Sequence, residues 1–290
     1  MLRVTVRWPL QLALGSPYLL RVTRRTFNSG ALIFGHLPAG TSCERDATRG
    51  EWILPGRAGS ASPVVLYLHG GGYVAGTPAG YRSLTGAIAS RANARVYVPN
   101  YRLAPEHRFP AALDDAIDAY RRLLERGIAP KHMVIAGDSA GGGLTLSAAL
   151  ALRERAMPMP AGLVLLSPWV DLLGTGASQR ANATSDDIVV NDGSHALARA
   201  YLGDRPLDDP AASGLYAALD GLPPMLIQAS RIEVLRDDAI RLAEKARAAG
   251  TDATLQLWDG VPHVWQLFAR LPETRASIEA IAAFIARVCA

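Results

Sequence analysis

Met133-Val134-Ile135-Ala136, followed by Gly137-Asp138-Ser139-Ala140-Gly141, is the stretch that decides the fold. Four apolar residues make a short buried strand, and Leu144 to Arg153, rich in alanine and leucine, makes a helix. Between them stands a serine with a glycine two places away on each side. That pattern predicts a sharp, strained strand-to-helix turn whose flanks lack bulky side chains and whose serine oxygen is presented above the sheet, as covalent acyl transfer requires.

Upstream, the apolar run Val64-Val65-Leu66-Tyr67-Leu68 leads directly into His69-Gly70-Gly71-Gly72-Tyr73. Three successive glycines leave backbone N–H groups uncovered, and such donors stabilise the oxyanion of a tetrahedral intermediate. Ala140, the residue after the serine, supplies a further donor in this arrangement. A serine nucleophile needs a base, and the base needs an orienting carboxylate, in the chain order serine, acid, histidine. Of six histidines only His195 and His263 follow Ser139. His195 sits in a segment with few strand signals and reads as a surface residue. His263 follows the apolar segment Thr254 to Trp258 and the turn Asp259-Gly260-Val261-Pro262, which places it in the loop after a late strand.

Glu233, Asp237, Asp238, Asp252 and Asp259 are the candidates for the acid. A strand at Pro224 to Ala229 feeds the loop Ser230-Arg231-Ile232-Glu233 and brings Glu233 to the same sheet edge as Ser139 and His263. Asp237 and Asp238 open a helical pattern, where carboxylates meet the N-terminal dipole, and Asp259 belongs to an Asp-Gly turn.

Taken together these residues resemble the hormone-sensitive-lipase-like group of α/β-hydrolase carboxylesterases, bacterial branch. The resemblance is carried by His69 to Tyr73, by Asn100-Tyr101-Arg102-Leu103-Ala104-Pro105-Glu106 with Phe109 to Asp115, by the elbow with Asp138 before its serine, and by Ser167-Pro168-Trp169-Val170-Asp171. It implies an α/β-hydrolase fold: a mostly parallel central sheet flanked by helices, with a helical cap, in a single domain spanning 1–290. It implies Ser139 as nucleophile, His263 as base, Glu233 as acid, and Gly71, Gly72 and Ala140 as oxyanion donors. Two departures stand out. The family's acid usually opens an Asp-Pro-Leu-x-Asp-Asp block, whereas this chain has Glu233-Val234-Leu235-Arg236-Asp237-Asp238; the family's His-Gly-Phe is here His263-Val264-Trp265. Arg102, Glu106, His107, Asp114 and Asp115 look like structural turn and helix-start residues, Asp138 like a loop tether, and Trp169 and Asp171 like braces of the floor. Tyr73 is expected either in the substrate pocket or packed inside.

The implied cap combines residues from about 1 to 43 with an insertion from about 173 to 217, and substrate choice is written there. The implied activity is hydrolysis of short-chain carboxylic esters through an acyl-enzyme. A lactone hydrolase or an acetyl-removing hydrolase of secondary metabolism would use the same residues. Some relatives are receptors that bind without turnover, typically after losing the histidine; His263 is present here.

At 290 residues and 30.8 kDa, the chain suits one large α/β domain burying roughly 75% of its unfolded surface. The pI of 9.3 invites a nucleic-acid reading. The excess is local, however: residues 1–43 hold five arginines and no acid, leaving 25 basic against 26 acidic side chains elsewhere. No nucleic-acid partner is expected, and the basic amphipathic segment with Trp8 and Leu10 suits an anionic or apolar surface. Arg7, Pro9, Gly15 and Pro17 interrupt the early apolar stretches, so neither membrane insertion nor a signal-peptide core is expected, and the expected compartment is the cytoplasm with Cys43 and Cys289 reduced. The glycine runs match no nucleotide-binding motif, and the histidines and cysteines have no metal-ligand spacing, so no cofactor or metal is expected. Relatives often pair through the last strand, here Ala253 to Trp258; the sequence leaves the oligomeric state open.

Overall fold

The computed structural model describes residues 35–46, 49–59, 61–186, 188–189 and 191–290, together with residues 22, 24, 25 and 28. Most of the N-terminal part of the expected cap, including Trp8 and Leu10, lies outside the described residues.

Eight strands form one sheet among the described residues: β1 (Thr41–Asp46), β2 (Gly50–Pro55), β3 (Val64–Leu68), β4 (Arg95–Pro99), β5 (Met133–Asp138), β6 (Gly162–Leu166), β7 (Met225–Ser230) and β8 (Ala253–Trp258). Their order is β1-β2-β4-β3-β5-β6-β7-β8. The β1–β2 and β2–β4 pairs are antiparallel, and the remainder are parallel. The helices are α1 (Arg82–Ala92), α2 (Ala111–Glu125), α3 (Ala140–Glu154), α4 (Ser178–Ala181), α5 (Asn191–Leu202), α6 (Arg236–Ala248) and α7 (Pro272–Val288).

Every residue of β3, β5, β6 and β7 is buried, which explains why these strands read as unbroken apolar runs: helices cover both faces. Alternation divides the side chains between two cores. Leu66 and Leu68 join Ala116 of α2, Leu144 of α3 and Leu242 of α6 on one face. Val65 and Tyr67 join Ile88 of α1 and Ile281 of α7 on the other.

The parallel register sets the site. Leu68 is opposite Gly137, Asp138 opposite Leu166, and Ser230 opposite Trp258, so β3, β5, β7 and β8 all end on one edge. The loops leaving that edge carry His69 to Gly72, Ser139, Glu233 and His263. Between β6 and β7, α4 and α5 form an insertion that packs over the first of these loops. Tyr201 of α5 stacks on Tyr73 with ring centroids 3.7 Å apart, and the Leu197 side chain lies against Gly72.

Candidate active site

The turn at Ser139 is built by steric exclusion. A Cβ on Gly137 would lie 2.3 Å from the Gly141 carbonyl oxygen, and one on Gly141 would lie 2.0 Å from that of Leu68. No other residue type fits at either position. Ser139 itself has φ +53° and ψ −122°, a strained conformation for a residue with a side chain. The surrounding backbone holds it there: its N–H donates to the Leu166 carbonyl at 2.8 Å, and its carbonyl accepts from the N–H groups of Gly143 at 3.1 Å and Trp169 at 3.0 Å. The serine side is half-buried beneath solvent rather than sealed in the core.

The loop after β3 turns back on itself through Gly71, whose carbonyl accepts from Val74 N–H at 3.1 Å and Ala75 N–H at 3.0 Å. Gly71 and Gly72 have φ of +113° and +63°. Among the described residues, neither of their N–H groups has an acceptor. Ala140 is the first residue of α3, where helical N–H groups also lack an intrahelical partner. Among the described residues, the three N–H groups expected to receive an oxyanion thus have no protein acceptor.

Asp138 ties this loop to the elbow. Its Oδ1 accepts from the Gly70 N–H at 2.9 Å and from the Tyr67 hydroxyl at 2.8 Å. Burial pushes its carboxyl up to about 6, against the lowering effect of these hydrogen bonds. His69 is buried between Tyr101 and Tyr81, and burial pushes its imidazole down to about 4. Arg24 anchors the same region from the N-terminal side, donating to the Val74 carbonyl at 2.6 Å and pairing with Glu106.

On the other side of the edge, Glu233 Oε2 lies 2.6 Å from His263 Nδ1, with the two residues only 0% and 4% exposed. The second oxygen, Oε1, accepts from the Ser230 N–H at 3.0 Å, which sets the carboxylate plane. Burial alone would depress the His263 imidazole; the Glu233 carboxylate outweighs it, with Asp186 and Asp138 adding to the effect, and the net shift is upward. Val264, the residue after the histidine, has φ +50°. A β-branched residue is strained there, where the glycine of the resembled family would be at ease. The Ser167 hydroxyl accepts from the Val264 N–H at 3.2 Å.

The other carboxylates weighed for the acid are engaged elsewhere. Asp237 and Asp238 stand in the first turn of α6. Asp237 Oδ2 accepts from the Ser178 N–H, and Asp238 Oδ2 accepts from the N–H groups of Val170 and Asp171. Asp252 pairs with Arg287 and Asp259 with Arg231. His195 is exposed on α5. Arg102 pairs with Asp115 through side chain and backbone N–H, as a structural turn requires. Asp171 accepts from Arg241, Thr175 and Tyr216 below the site. Of the two expectations for Tyr73, packing inside matches its surroundings: it is 1% exposed and covered by Tyr201.

Sequence reasoning missed Asp186. It is buried, and with Ser185, Ile232, Glu233 and His263 it lines a pocket of about 290 Å³. Its position in a polar insertion resembles that of any turn aspartate, so only the fold reveals it.

A family model described as the alpha/beta hydrolase fold matches residues 65–267. An acetyl-hydrolase of Streptomyces hygroscopicus is 41% identical over 255 residues, covering 87% of this chain and 85% of that protein. An esterase of Acinetobacter venetianus is 38% identical over 239 residues, covering 81% and 78%. The crystal structure of an esterase from the bacterial hormone-sensitive lipase family superposes with a TM-score of 0.89 at 43% identity, covering 93% of this chain and 92% of that one. The elbow, the glycine-rich loop and the shared edge therefore have a common origin with these enzymes, and the chain belongs to the bacterial hormone-sensitive-lipase-like family of α/β-hydrolase serine carboxylesterases.

Proposed function

We propose that this carboxylesterase hydrolyses short-chain carboxylic esters with Ser139 as nucleophile, His263 as general base and Glu233 as orienting acid. The observation that carries the reading is the buried 2.6 Å Glu233–His263 pair on the sheet edge where Ser139 is held in its strained turn. Ser139 Oγ attacks the ester carbonyl carbon as its proton passes to His263 Nε2. Glu233 keeps the proton on Nδ1 and stabilises the imidazolium. The N–H groups of Gly71, Gly72 and Ala140 receive the oxyanion. His263 then protonates the departing alcohol, and water, deprotonated in turn by His263, releases the acid from Ser139.

The insertion between β6 and β7 acts as the cap together with the N-terminal segment, in one domain. α5 closes over the glycine-rich loop through Leu197 and Tyr201, and Tyr73 stiffens the wall of the acyl pocket from within. Removal of an acetyl group from a larger alcohol is the second reading, supported by the relative from Streptomyces hygroscopicus. β8 is an edge strand, and pairing of two copies along it satisfies its unpaired backbone groups. No described helix is long and apolar enough to cross a membrane. We place the protein in the cytoplasm, where the free thiols of Cys43 and Cys289 would persist.

Hydrolysis of p-nitrophenyl esters from acetate to palmitate, with Ser139→Ala beside the native protein, tests the proposal. A maximum at short chains that falls at least ~10⁴-fold in the variant is expected. Undiminished turnover by Ser139→Ala would refute the nucleophile. A maximum at palmitate would refute the short acyl pocket. Rapid deacetylation of bulky acetylated alcohols, with poor turnover of butyrate and longer esters, would favour the second reading.

A further inference from the structure

The carbonyl oxygens of residues 231–234, the loop that carries the proposed acid, all end on side chains of a single stretch of the insertion. Asn182 Nδ2 donates to the carbonyls of Arg231 at 3.0 Å and Glu233 at 2.8 Å. The Ser185 hydroxyl donates to the Ile232 carbonyl at 2.9 Å, and the Ser178 hydroxyl to that of Val234 at 2.6 Å. Asp186 completes the clasp from the donor side: its Oδ2 accepts from the Val234 N–H at 2.8 Å, while its Oδ1 accepts from the N–H groups of Ile188 and Val189 at 2.9 Å each. Val234 has this N–H to offer because it stands where the resembled block has a proline.

Within the turn itself the Glu233 carbonyl also accepts from the Arg236 N–H at 3.3 Å, and the Ser230 hydroxyl accepts from the Ile232 N–H at 3.2 Å. The insertion adds a side-chain donor to each of the four carbonyls, so the backbone on both sides of Glu233 is set from outside as well as from within. The longer reach of a glutamate, compared with an aspartate, demands a particular setback of that backbone from His263. Asn182 fixes it most directly, because it grips the carbonyl of Glu233 itself. Asp186 acts in two ways, by holding the next peptide and by facing the imidazole with a negative charge in the shared pocket.

We infer that Asn182 and Asp186 are positioning residues for ester hydrolysis: through the backbone of residues 231–234, the insertion sets where the Glu233 carboxylate meets His263. The inference rests on the triad reading above. It makes the insertion part of the machinery that orients the base, in addition to a lid over the substrate.

A double-mutant cycle on the full chain tests it, using kcat and KM for p-nitrophenyl butyrate with the melting temperature of each variant as a control. Asn182→Ala is expected to lower kcat about tenfold with KM changed less than about twofold, and to change kcat less than about twofold when Glu233 is already alanine. An equal loss in both backgrounds would mean a general structural role and overturn the inference. So would an unchanged kcat in Asn182→Ala while Glu233→Ala is impaired. If Glu233→Ala itself leaves kcat unchanged, the triad reading falls first and the inference with it.

Asp186→Asn adds an independent readout. The negative charges facing His263 come from Glu233, Asp186 and Asp138. Removing one lowers the pH at which the imidazole loses its proton, so the acid limb of the kcat profile moves to lower pH. Asp186→Glu, which keeps the charge, leaves the limb in place. An unmoved limb in a folded Asp186→Asn protein would remove Asp186 from the inference, and if that variant fails to fold, the Asn182 cycle decides.

Discussion

Ser139, the proposed nucleophile, and the Glu233–His263 pair proposed to serve it sit on the same sheet edge and are built by opposite means. Around Ser139 the geometry is imposed by contacts between backbones: glycines at 137 and 141 let strand and helix approach to distances that exclude a single methyl group. Around Glu233 the loop is held by hydrogen bonds to the side chains of Asn182, Ser185, Ser178 and Asp186, residues 47 to 56 positions away. The first device is steric, a close approach of backbones that tolerates no substitution. The second is distributed over several side-chain hydrogen bonds and open to gradual tuning. A chain built this way can hold the turn at Ser139 constant while the insertion, and with it the backbone of Glu233, varies.

The widest contrast should come from removing the smallest amount of matter on one side and adding it on the other. Gly141→Ala puts a Cβ 2.0 Å from the Leu68 carbonyl, and backbone cannot yield as a side chain does. The expected result is loss of more than ~4 kcal/mol of stability or failure to accumulate folded protein, whereas Ser185→Ala removes one hydrogen bond and costs about 1 kcal/mol. Chemical denaturation of both variants measures this. A stable, active Gly141→Ala protein would break the distinction between the two regions.

Glu233→Gln comes next. It keeps the shape of the side chain and removes the charge, and kcat/KM is expected to fall ~10²–10⁴-fold. The sign of the pH effect is fixed by the chemistry: the base works as neutral imidazole, and the carboxylate holds the His263 imidazole above its ordinary range, so losing the charge moves the acid limb to lower pH. A kcat/KM profile measured from pH 5 to 9 reads both effects. Full activity with an unmoved limb would place the acid elsewhere.

The smallest effect concerns the tether between the two glycine-built loops. In the folded protein the Asp138 carboxyl is pushed up to about 6 by burial, and in the unfolded chain it returns to the ordinary carboxylate range. Below that range both states are protonated and nothing is lost. As pH rises from the ordinary carboxylate range to about 6 the unfolded chain releases a proton that the folded state still holds, and stability falls by up to about 3 kcal/mol, a loss that is complete above about 6. Asp138→Asn retains an oxygen that accepts from Gly70 and Tyr67 and removes this dependence. Its melting temperature relative to the native protein should therefore rise between pH 4 and pH 7.5; a constant difference would mean that the tether does not titrate.

Legibility follows the same division. The glycine-rich loop and the elbow were readable because each requirement, a missing Cβ or a small flank, is written at the position that needs it. His263 was readable from chain order and from the strand before it. Glu233 could be ranked above its neighbours because the first turn of a helix accounts for Asp237 and Asp238; both do stand in the first turn of α6, with their carboxylates bonded to the N–H groups of Ser178, Val170 and Asp171 in other segments. The strained Val264 marks a place where the chain departs from the pattern it resembles, and its φ of +50° lies in the left-handed region that a glycine adopts without strain. The antiparallel β1 and β2, the helices of the insertion and the clasp on residues 231–234 carried no comparable local signal.

By itself the sequence determined the alternating α/β architecture, the strained serine turn, the donor loop and the place of the histidine, since all of these depend on what a residue can do within its own few neighbours. Tertiary structure alone decided that Tyr73 turns inward under Tyr201, that Gly70 and Tyr67 are the groups Asp138 tethers, and that Asn182 and Asp186 hold the backbone of residues 231–234. Each of those roles requires two segments distant in the chain to meet, and a polar side chain carries no mark of which distant backbone group it will find.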